Sequence, residues 1–255
     1  MLPIGDDNSD RTRTPFINYL LIALNILVFV YFQQTGDNAF TYSYSTVPAE
    51  IVTGQDIVTR AQVEIDPYTG QRFLRPPLGE TRVHVWLTLI ISMFMHGGWA
   101  HLGGNMLYLW VFGDNIENRL GHMRYLFFYL LTGVIASLTH VFSTKVLGHD
   151  MLIPSLGASG AISGILGAYI LLYPTRRVHV FFVFTIISVP ALLALGIWIV
   201  FQIINGMGAL GGSEAGGVAY AAHIGGFFAG LLLIKFFVPP GGAPAPVRRR
   251  QYREW

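Results

Sequence analysis

Six long apolar segments dominate this chain and restrict it to a membrane fold. Most of them approach the roughly 20 residues that a helix needs to cross a bilayer. With 53% hydrophobic and only 12% charged residues, the composition is also typical of a membrane protein. We therefore predict an all-α polytopic membrane protein with a bundle of six transmembrane helices. The segments cover residues 15–32, 85–112, 125–142, 159–173, 178–204 and 218–238.

Polar stretches divide the chain around this membrane domain, which spans residues 15–238. Residues 1–14 form a polar N-terminal segment, residues 33–84 a long first loop, and residues 239–255 a basic tail. Within the first loop, short alternating runs flank Asp66-Pro67-Tyr68-Thr69-Gly70, which predicts a β-hairpin over Gln62–Leu74. In the second apolar segment, His96-Gly97-Gly98 interrupts the run, so only about 99–115 is expected to span the membrane.

The distribution of Lys and Arg predicts the orientation of the chain, because cytoplasmic loops carry an excess of these residues. Six spans put both termini on one side, together with Arg176, Arg177 and most other arginines. We therefore expect both termini to be cytoplasmic, in the inner membrane of a cell. The start of the fourth helix, at Ser159, then faces the extracytoplasmic side.

Several classes of function are excluded or disfavoured by composition. The chain has no cysteine, which excludes disulfides, thiol catalysis and thiolate metal sites. A net charge of +2 gives no signal for nucleic acid, and the run Arg248-Arg249-Arg250 is interpreted as a juxtamembrane anchor. We expect no metal or other cofactor and no nucleic-acid partner. The oligomeric state is not fixed by the sequence.

A serine flanked by small residues opens the fourth segment, in Gly157-Ala158-Ser159-Gly160. A helix from Ser159 to Tyr173 is about 15 residues, or roughly 22 Å, long, whereas the hydrocarbon core is about 30 Å thick. Because Arg176 and Arg177 mark one water boundary, Ser159 is expected to lie several ångströms below the other. A polar helix start at that depth requires surrounding protein or a water-filled cavity.

Ser159 needs a general base, because a serine hydroxyl is a poor nucleophile on its own. His223, one turn into the sixth segment, is the prime base, since an ionisable residue within a span is a functional-site hypothesis. Small residues recur every fourth position on both helices, and such stripes let membrane helices approach closely. The stripes are Gly160, Gly164 and Ala168 on the fourth helix and Ala222, Gly226 and Gly230 on the sixth.

A third polar cluster opens the full second span. His101 and Asn105 are four residues apart and share a helix face. Both side chains donate hydrogen bonds, and fixed donors stabilise the negative charge that develops on a carbonyl oxygen during amide hydrolysis. Without other evidence, an interhelical polar pair with a packing role fits the same spacing.

Taken in order, these motifs resemble the rhomboid intramembrane serine proteases of the bacterial type, with a six-helix core. The resemblance covers residues 86–238 and implies that Ser159 is the nucleophile and His223 the general base and acid, without an acidic third residue. It implies an oxyanion hole made by His101, Asn105 and the Ser159 backbone N–H. Among the supporting residues that the resemblance implies, His96 braces the first loop through hydrogen bonds, and Glu117 and Arg119 hold the turn between the second and third helices. The others are Gly226 and Gly230 at the close contact of the fourth and sixth helices, and Gly157 and Gly160 on either side of Ser159.

Two positions depart from the pattern of relatives: Leu87-Thr88 replaces the Trp-Arg of many, and the second departure lies beneath the catalytic histidine. Some rhomboids carry an aromatic residue four positions after the nucleophile, stacked beneath the catalytic histidine, and this chain has Ser163 there. Phe227 or Trp198 is proposed to replace it. A further expectation concerns the glycine-rich stretch Asn205–Gly217, which is predicted to be a mobile cap over the site.

The resemblance implies an endopeptidase that cleaves membrane proteins near the outer surface through an acyl-enzyme, with transmembrane substrates and the lipid bilayer as partners. Three alternatives stay open at this point. A catalytically silent rhomboid-like protein that binds or chaperones membrane proteins fits the same fold. A metal site built from His96, His101 and His223 lacks an HExxH motif, and a transporter lacks a visible repeat.

Overall fold

The computed structural model describes residues 2–65, 70, 72–210 and 219–240. Helices make up most of the described residues, and the short strands form one three-stranded and one two-stranded sheet. The helices are α1 (Phe16–Phe32), α2 (Ala39–Tyr44), α3 (Pro48–Thr53), α4 (Val85–Phe94), α5 (Trp99–Leu120), α6 (His122–Leu147), α7 (Ser159–Leu172), α8 (Ala191–Leu210) and α9 (Tyr220–Phe237). The strands are β1 (Leu2–Asp6), β2 (Gln62–Ile65), β3 (Arg72–Arg75), β4 (Arg177–Phe182) and β5 (Thr185–Pro190).

Two helices in the described residues, α6 and α9, are long and apolar enough to cross a membrane on their own. The pair α4 and α5 forms a third such segment if it is counted as one, although it is bent by 82° at the break. That break contains His96-Gly97-Gly98, where the sequence predicted an interruption. Helices α1, α7 and α8 are apolar but shorter.

Helix α7 lies at the centre of the bundle, between α6 and α9. Every residue from Gly160 to Tyr169 is buried. This burial depends on glycine: a Cβ at Gly164 would overlap the Thr132 side chain of α6, and one at Gly167 would overlap the Phe227 carbonyl of α9. The short central helix is therefore held by close backbone contacts on two sides, as small residues permit between membrane helices.

The chain is mainly helical, as predicted, but the prediction of a continuous fifth helix from Val178 is wrong over residues 178–190. These residues form the antiparallel pair β4 and β5, and α8 begins only at Ala191. The local pattern explains this, because Val178 and Val180 are buried and alternate with the exposed Arg177 and His179. A two-residue period is the signature of a half-buried strand, which the high average hydrophobicity concealed.

The N-terminal segment joins this sheet. Strand β1 pairs antiparallel with β4, which gives the order β1-β4-β5. Asp6, the last residue of β1, accepts hydrogen bonds from Tyr169 Oη (2.5 Å) and Asn115 Nδ2 (2.7 Å). Beyond the strand, Arg176 forms an ion pair with Asp10 at 2.5 Å. Residues 2–10 are thus packed against the ends of α5 and α7.

We expect Asp6→Asn to flatten the dependence of stability on pH between about 4 and 6. Burial raises the pKa of Asp6 from 3.8 to about 6. At pH 5 the folded protein therefore keeps a proton that the unfolded chain releases, so this carboxyl makes stability fall as pH rises through that window. Melting temperatures in detergent from pH 4 to pH 7 should show a smaller slope for the variant.

The neighbouring carboxyl provides the control. Hydrogen bonds from Ser9 lower the pKa of Asp7, so Asp7→Asn should leave the slope between pH 4 and 6 unchanged. Equal slopes for wild type and Asp6→Asn would contradict the assignment.

The first loop is folded and attached to the connector that precedes α7. Thr46 and Ser155 exchange two backbone hydrogen bonds of 2.9 and 2.8 Å, and Arg75 forms an ion pair with Asp150 at 2.7 Å. Strands β2 and β3 form the predicted hairpin, whose turn over 66–69 lies outside the described residues. The loop therefore lies at the same end of the bundle as Ser159.

Candidate active site

Ser159 is the first residue of α7, as the sequence predicted. The chain enters the helix through Gly157, whose φ of +126° suits glycine. The backbone N–H of Gly157 donates to the carbonyl of Ser92 at 2.9 Å, which fixes this entry against the end of α4. The first N–H groups of a helix have no partner within the helix, so the Ser159 amide is free to donate toward the space above α7.

His223 lies in the first turn of α9 and faces Ser159. Its Nε2 atom is 2.8 Å from Ser159 Oγ, the distance of an ordinary hydrogen bond. The hydroxyl and the imidazole are thus close enough for direct proton transfer. The two residues are 64 positions apart in the sequence and are brought together by the packing of α7 against α9.

The packing comes from the glycine stripes. A Cβ at Gly226 would overlap the carbonyl of Gly160, and one at Gly230 would overlap the carbonyl of Gly164. The backbones of α7 and α9 are therefore in contact at two successive turns, as their spacing predicted. This contact sets the depth of His223 relative to Ser159.

Gln202, on α8, is a site residue that the sequence analysis missed. Its Oε1 atom lies 2.8 Å from His223 Nδ1, on the opposite side of the ring from Ser159. One signal was available: Gln202 is an amide within the run Trp198-Ile199-Val200-Phe201-Gln202, and polar side chains in membrane helices tend to hydrogen-bond across helices.

Of the two residues proposed to replace an aromatic residue at position 163, Trp198 is in ring contact with His223, and Phe227 packs behind Trp198. The Trp198 ring lies 6.1 Å from the His223 ring, measured between centroids, at 37°. Phe227 packs on Trp198 at 6.2 Å and is not itself in ring contact with His223. The buried Ser163 hydroxyl donates to the Ser159 carbonyl at 2.7 Å, which satisfies it within the helix.

His101 lies beside Ser159. A Cβ placed on Gly157 would be 2.9 Å from His101 Nε2 and 3.7 Å from Ser159 Oγ, so the imidazole and the hydroxyl flank the same glycine. Asn105 is one turn further along α5 and 8% exposed, and its Nδ2 atom makes no hydrogen bond with the described residues. An unpaired buried amide donor is unusual in a folded protein and calls for a functional reason.

His96 is fully buried next to His101, with the two rings 5.1 Å apart in an edge-on arrangement. It does brace the first loop, but through its backbone: its N–H donates to Gln33 Oε1 (2.8 Å), and its carbonyl accepts from Gln33 Nε2 (3.0 Å). Neither ring nitrogen has a hydrogen-bond partner in the described residues. The contact of His96 with the start of the first loop is therefore made by its backbone groups.

Glu117 lies at the opposite end of the bundle. Its carboxylate accepts from the backbone N–H groups of Ile17 (2.9 Å) and Asn18 (2.7 Å), and it is 2.5 Å from His122 Nδ1. It thus caps the start of α1, whose first N–H groups need acceptors, as well as the turn from α5 to α6. Arg119 lies two residues further along α5.

A small cavity of about 30 Å³ lies directly beside Ser159. A water molecule needs about 10 to 15 Å³ of such space and polar partners. Its polar lining residues are Ser92, Ser137, His140, Ser155 and Ser159. The cavity therefore has room and hydrogen-bonding groups for water next to the nucleophile.

The predicted cap and the predicted basic tail lie partly or mostly outside the described residues. The cap predicted over Asn205–Gly217 is wrong for its first part, because α8 continues to Leu210; residues 211–217 lie outside the described residues. The basic tail also lies outside them from residue 241 onward.

Comparison with known proteins supports the resemblance. The family model described as the Rhomboid domain matches residues 83–240. The chain is 34% identical over 147 residues to "Rhomboid protein 1, mitochondrial" of Saccharomyces cerevisiae, across 57% of this chain and 40% of that protein. It is 30% identical over 223 residues to "Rhomboid protease GluP" of Bacillus subtilis, across 86% of this chain and 35% of that protein.

A third relative is "Presenilin-associated rhomboid-like protein, mitochondrial" of Mus musculus, 36% identical over 109 residues, across 42% of this chain and 28% of that protein. The chain therefore spans less than half the length of each of these curated relatives.

Proposed function

Because this chain belongs to the rhomboid family, we propose that it is a membrane-embedded serine endopeptidase. The observation that carries the proposal is the 2.8 Å separation of Ser159 Oγ and His223 Nε2. A weak nucleophile next to a general base is the arrangement that covalent catalysis by serine requires. One relative is itself named a rhomboid protease.

In the proposed mechanism, His223 removes the proton of Ser159 as Oγ attacks a peptide carbonyl. The tetrahedral intermediate collapses when His223 gives that proton to the leaving amine, which leaves an acyl-enzyme. Water, activated in turn by His223, attacks the acyl carbon and releases the second product. The cavity beside Ser159 offers this water a polar site.

The oxyanion that forms in both steps needs donors in place before the reaction. We assign these to the backbone N–H of Ser159 and to His101 and Asn105 on α5. The support is the position of His101 beside Gly157 and the unpaired Nδ2 atom of the buried Asn105. The supporting roles proposed for His96, Gly157, Gly160, Glu117, Arg119, Gly226 and Gly230 are to hold α5, α7 and α9 in this arrangement.

The substrates proposed are membrane proteins whose transmembrane helices unwind near the end of the bundle that carries Ser159. We propose six spans, with α5 as the second and α8 as the fifth, and with α4 in or near the interface. With that count the arginine-rich ends of the helices are cytoplasmic, and the site opens to the extracytoplasmic side of a cell's inner membrane. A catalytically silent protein that binds membrane proteins is the competing assignment.

Purified wild-type protein in liposomes tests the proposal. A transmembrane peptide with a fluorophore and a quencher should be cleaved, and a fluorophosphonate should form a covalent adduct that mass spectrometry maps to Ser159. Peptide binding without turnover or adduct would support the silent alternative. An adduct at another serine, or turnover that chelators abolish, would contradict the proposed chemistry.

A further inference from the structure

We infer that Gln202 is a positioning residue that converts the Ser159–His223 pair into a three-residue relay; this rests on the proposed function. The three side chains are joined by two hydrogen bonds, with Ser159 Oγ 2.8 Å from Nε2 and Gln202 Oε1 2.8 Å from Nδ1 of the same imidazole. Each comes from a different helix: α7, α9 and α8 respectively.

The chemistry of the ring gives Gln202 its role. A neutral imidazole carries one proton, and the other nitrogen accepts. An acceptor at Nδ1 places the proton there, so the Nε2 lone pair points at Ser159, which is the state a general base needs. The same Oε1 atom remains an acceptor when His223 becomes an imidazolium. A carboxylate serves this purpose in the Ser-His-Asp triad; here a neutral amide stands in its place.

The surroundings of His223 leave Gln202 as the acceptor best placed for this. The Trp198 ring beside the imidazole has an N–H donor but no acceptor. The titratable groups that interact with His223 are two other imidazoles, His101 of α5 and His140 of α6. No carboxylate among the described residues hydrogen-bonds to the His223 ring.

A pair of isosteric substitutions separates orientation from packing. Gln202→Met keeps the length of the side chain and removes the acceptor, whereas Gln202→Glu keeps an acceptor. We expect Gln202→Met to lower kcat about 10- to 100-fold with little change in KM, less than the roughly 10⁴-fold that follows when a triad enforces the wrong tautomer. Gln202→Glu should retain clearly more activity than Gln202→Met.

The pH profile provides a readout that a packing defect would not move. Because Oε1 favours the charged imidazolium, its loss in Gln202→Met should move the acid limb of kcat to lower pH. Asn205→Leu is the matched control and should keep the wild-type profile. Asn205 lies on the same helix, and its side-chain amide donates to the Phe201 carbonyl of that helix. The inference would be overturned if Gln202→Met kept the wild-type kcat. It would also be overturned if the maximal kcat fell while the acid limb of the pH profile stayed at the wild-type pH.

A measurement on the resting protein separates this inference from the proposed function. In protein labelled with ¹⁵N-histidine, wild type should show His223 protonated at Nδ1, with the signal assigned through His223→Ala, and Gln202→Met should lose that preference. This result stands even if no peptide is cleaved. Protonation at Nε2 in the wild type would overturn the role of Gln202 whether or not the protein is a protease.

A different observation carries a second proposal, on the sheet. We propose that the tip of the β4–β5 hairpin inserts into the lipid boundary of the bilayer that holds the helices. The turn at Val183 and Phe184 projects from the molecule, and Phe184 is 93% exposed. Cross-strand pairing aligns Leu2, Phe181 and Ile186 in one exposed apolar row behind it.

The position of the hairpin identifies lipid as the occupant of this surface. The hairpin connects the end of α7 to the start of α8, whose Leu192 and Leu193 are exposed apolar side chains on a membrane helix. The exposed row therefore continues a surface that faces lipid. Away from the tip the same face becomes polar, with His179 opposite Ser188 and then Arg177, which suits the headgroup region.

The absence of cysteine from the chain permits a direct test by spin labelling. Labels at Phe184→Cys and, as control, Ser188→Cys are examined in liposomes by their collision with oxygen, which enters lipid, and with a water-soluble nickel chelate. Position 184 should favour oxygen, and position 188 should favour the chelate. Chelate access at position 184, or dipolar broadening that reports a second copy on this surface, would overturn the proposal.

Discussion

Ser159→Ala should reduce peptide cleavage in liposomes to background, a loss on the order of 10⁴- to 10⁶-fold in kcat, as in other serine hydrolases that lose their nucleophile. In the proposed mechanism Oγ forms the acyl bond, and the hydrogen-bond donors assigned to the oxyanion cannot replace it. His223→Ala should cost nearly as much, because Oγ without a base stays protonated. Cleavage of a fluorogenic transmembrane peptide and adduct formation with a fluorophosphonate measure both effects.

The double variant sharpens this prediction. Residues that act as one unit are strongly non-additive, so Ser159→Ala with His223→Ala should be no slower than either single variant. Ser163→Ala is the matched control: it lies one turn further along the same helix and hydrogen-bonds only to the Ser159 carbonyl. It should stay within a few-fold of wild type. Substantial cleavage by Ser159→Ala would remove the assignment.

Gly230→Val should cause the largest loss of stability of any substitution proposed here. Its Cβ would overlap the Gly164 carbonyl, and this neighbour is backbone in a buried helix that cannot turn aside. Overpacking a well-packed core costs about 1 to 3 kcal/mol, and a clash with backbone lies at or above the top of that range. We expect the melting temperature in detergent to fall by roughly 10 °C or more, on the scale of 2 to 4 °C per kcal/mol for a chain of this size.

The contact at Gly230 also predicts a loss of site geometry. Gly230→Ala should be milder than Gly230→Val, and both should slow fluorophosphonate labelling, because moving α9 away from α7 separates His223 from Ser159. Gly196→Val, the same change in α8 with no atom within 4 Å of the added Cβ, is the control and should melt near wild type. Equal effects at Gly196 and Gly230 would contradict the packing argument.

Local sequence signals predicted a large part of this arrangement. The start of α7 at Ser159 follows from the glycine-flanked serine at the edge of an apolar run, and the break before α5 follows from His96-Gly97-Gly98. The approach of α7 to α9 follows from small residues at a spacing of four. In each case the residues that carry the signal lie within one helical turn or repeat at one period, so the local sequence is sufficient for the prediction.

The features that the sequence reading missed are long-range. Gln202 reaches His223 from another helix, and no spacing rule connects the two residues. At 177–190 the two-residue period was a local signal, but the third strand of the sheet, β1, comes from a distant part of the chain. The backbone hydrogen bonds of His96 likewise depend on the position of Gln33, which lies at the end of another helix.

The pairing of β1 with β4 also constrains the order in which this chain is assembled. Leu2 leaves the ribosome before its partner Phe181, which follows about 180 residues later, after roughly 10 to 40 s at 5 to 20 residues per second. During that interval the first strand has no sheet to join and Asp6 has no Tyr169 to bond. Closure of the sheet is therefore a late event in biogenesis, and protection of the N-terminal segment from protease should report that α7 and the hairpin have been inserted and folded.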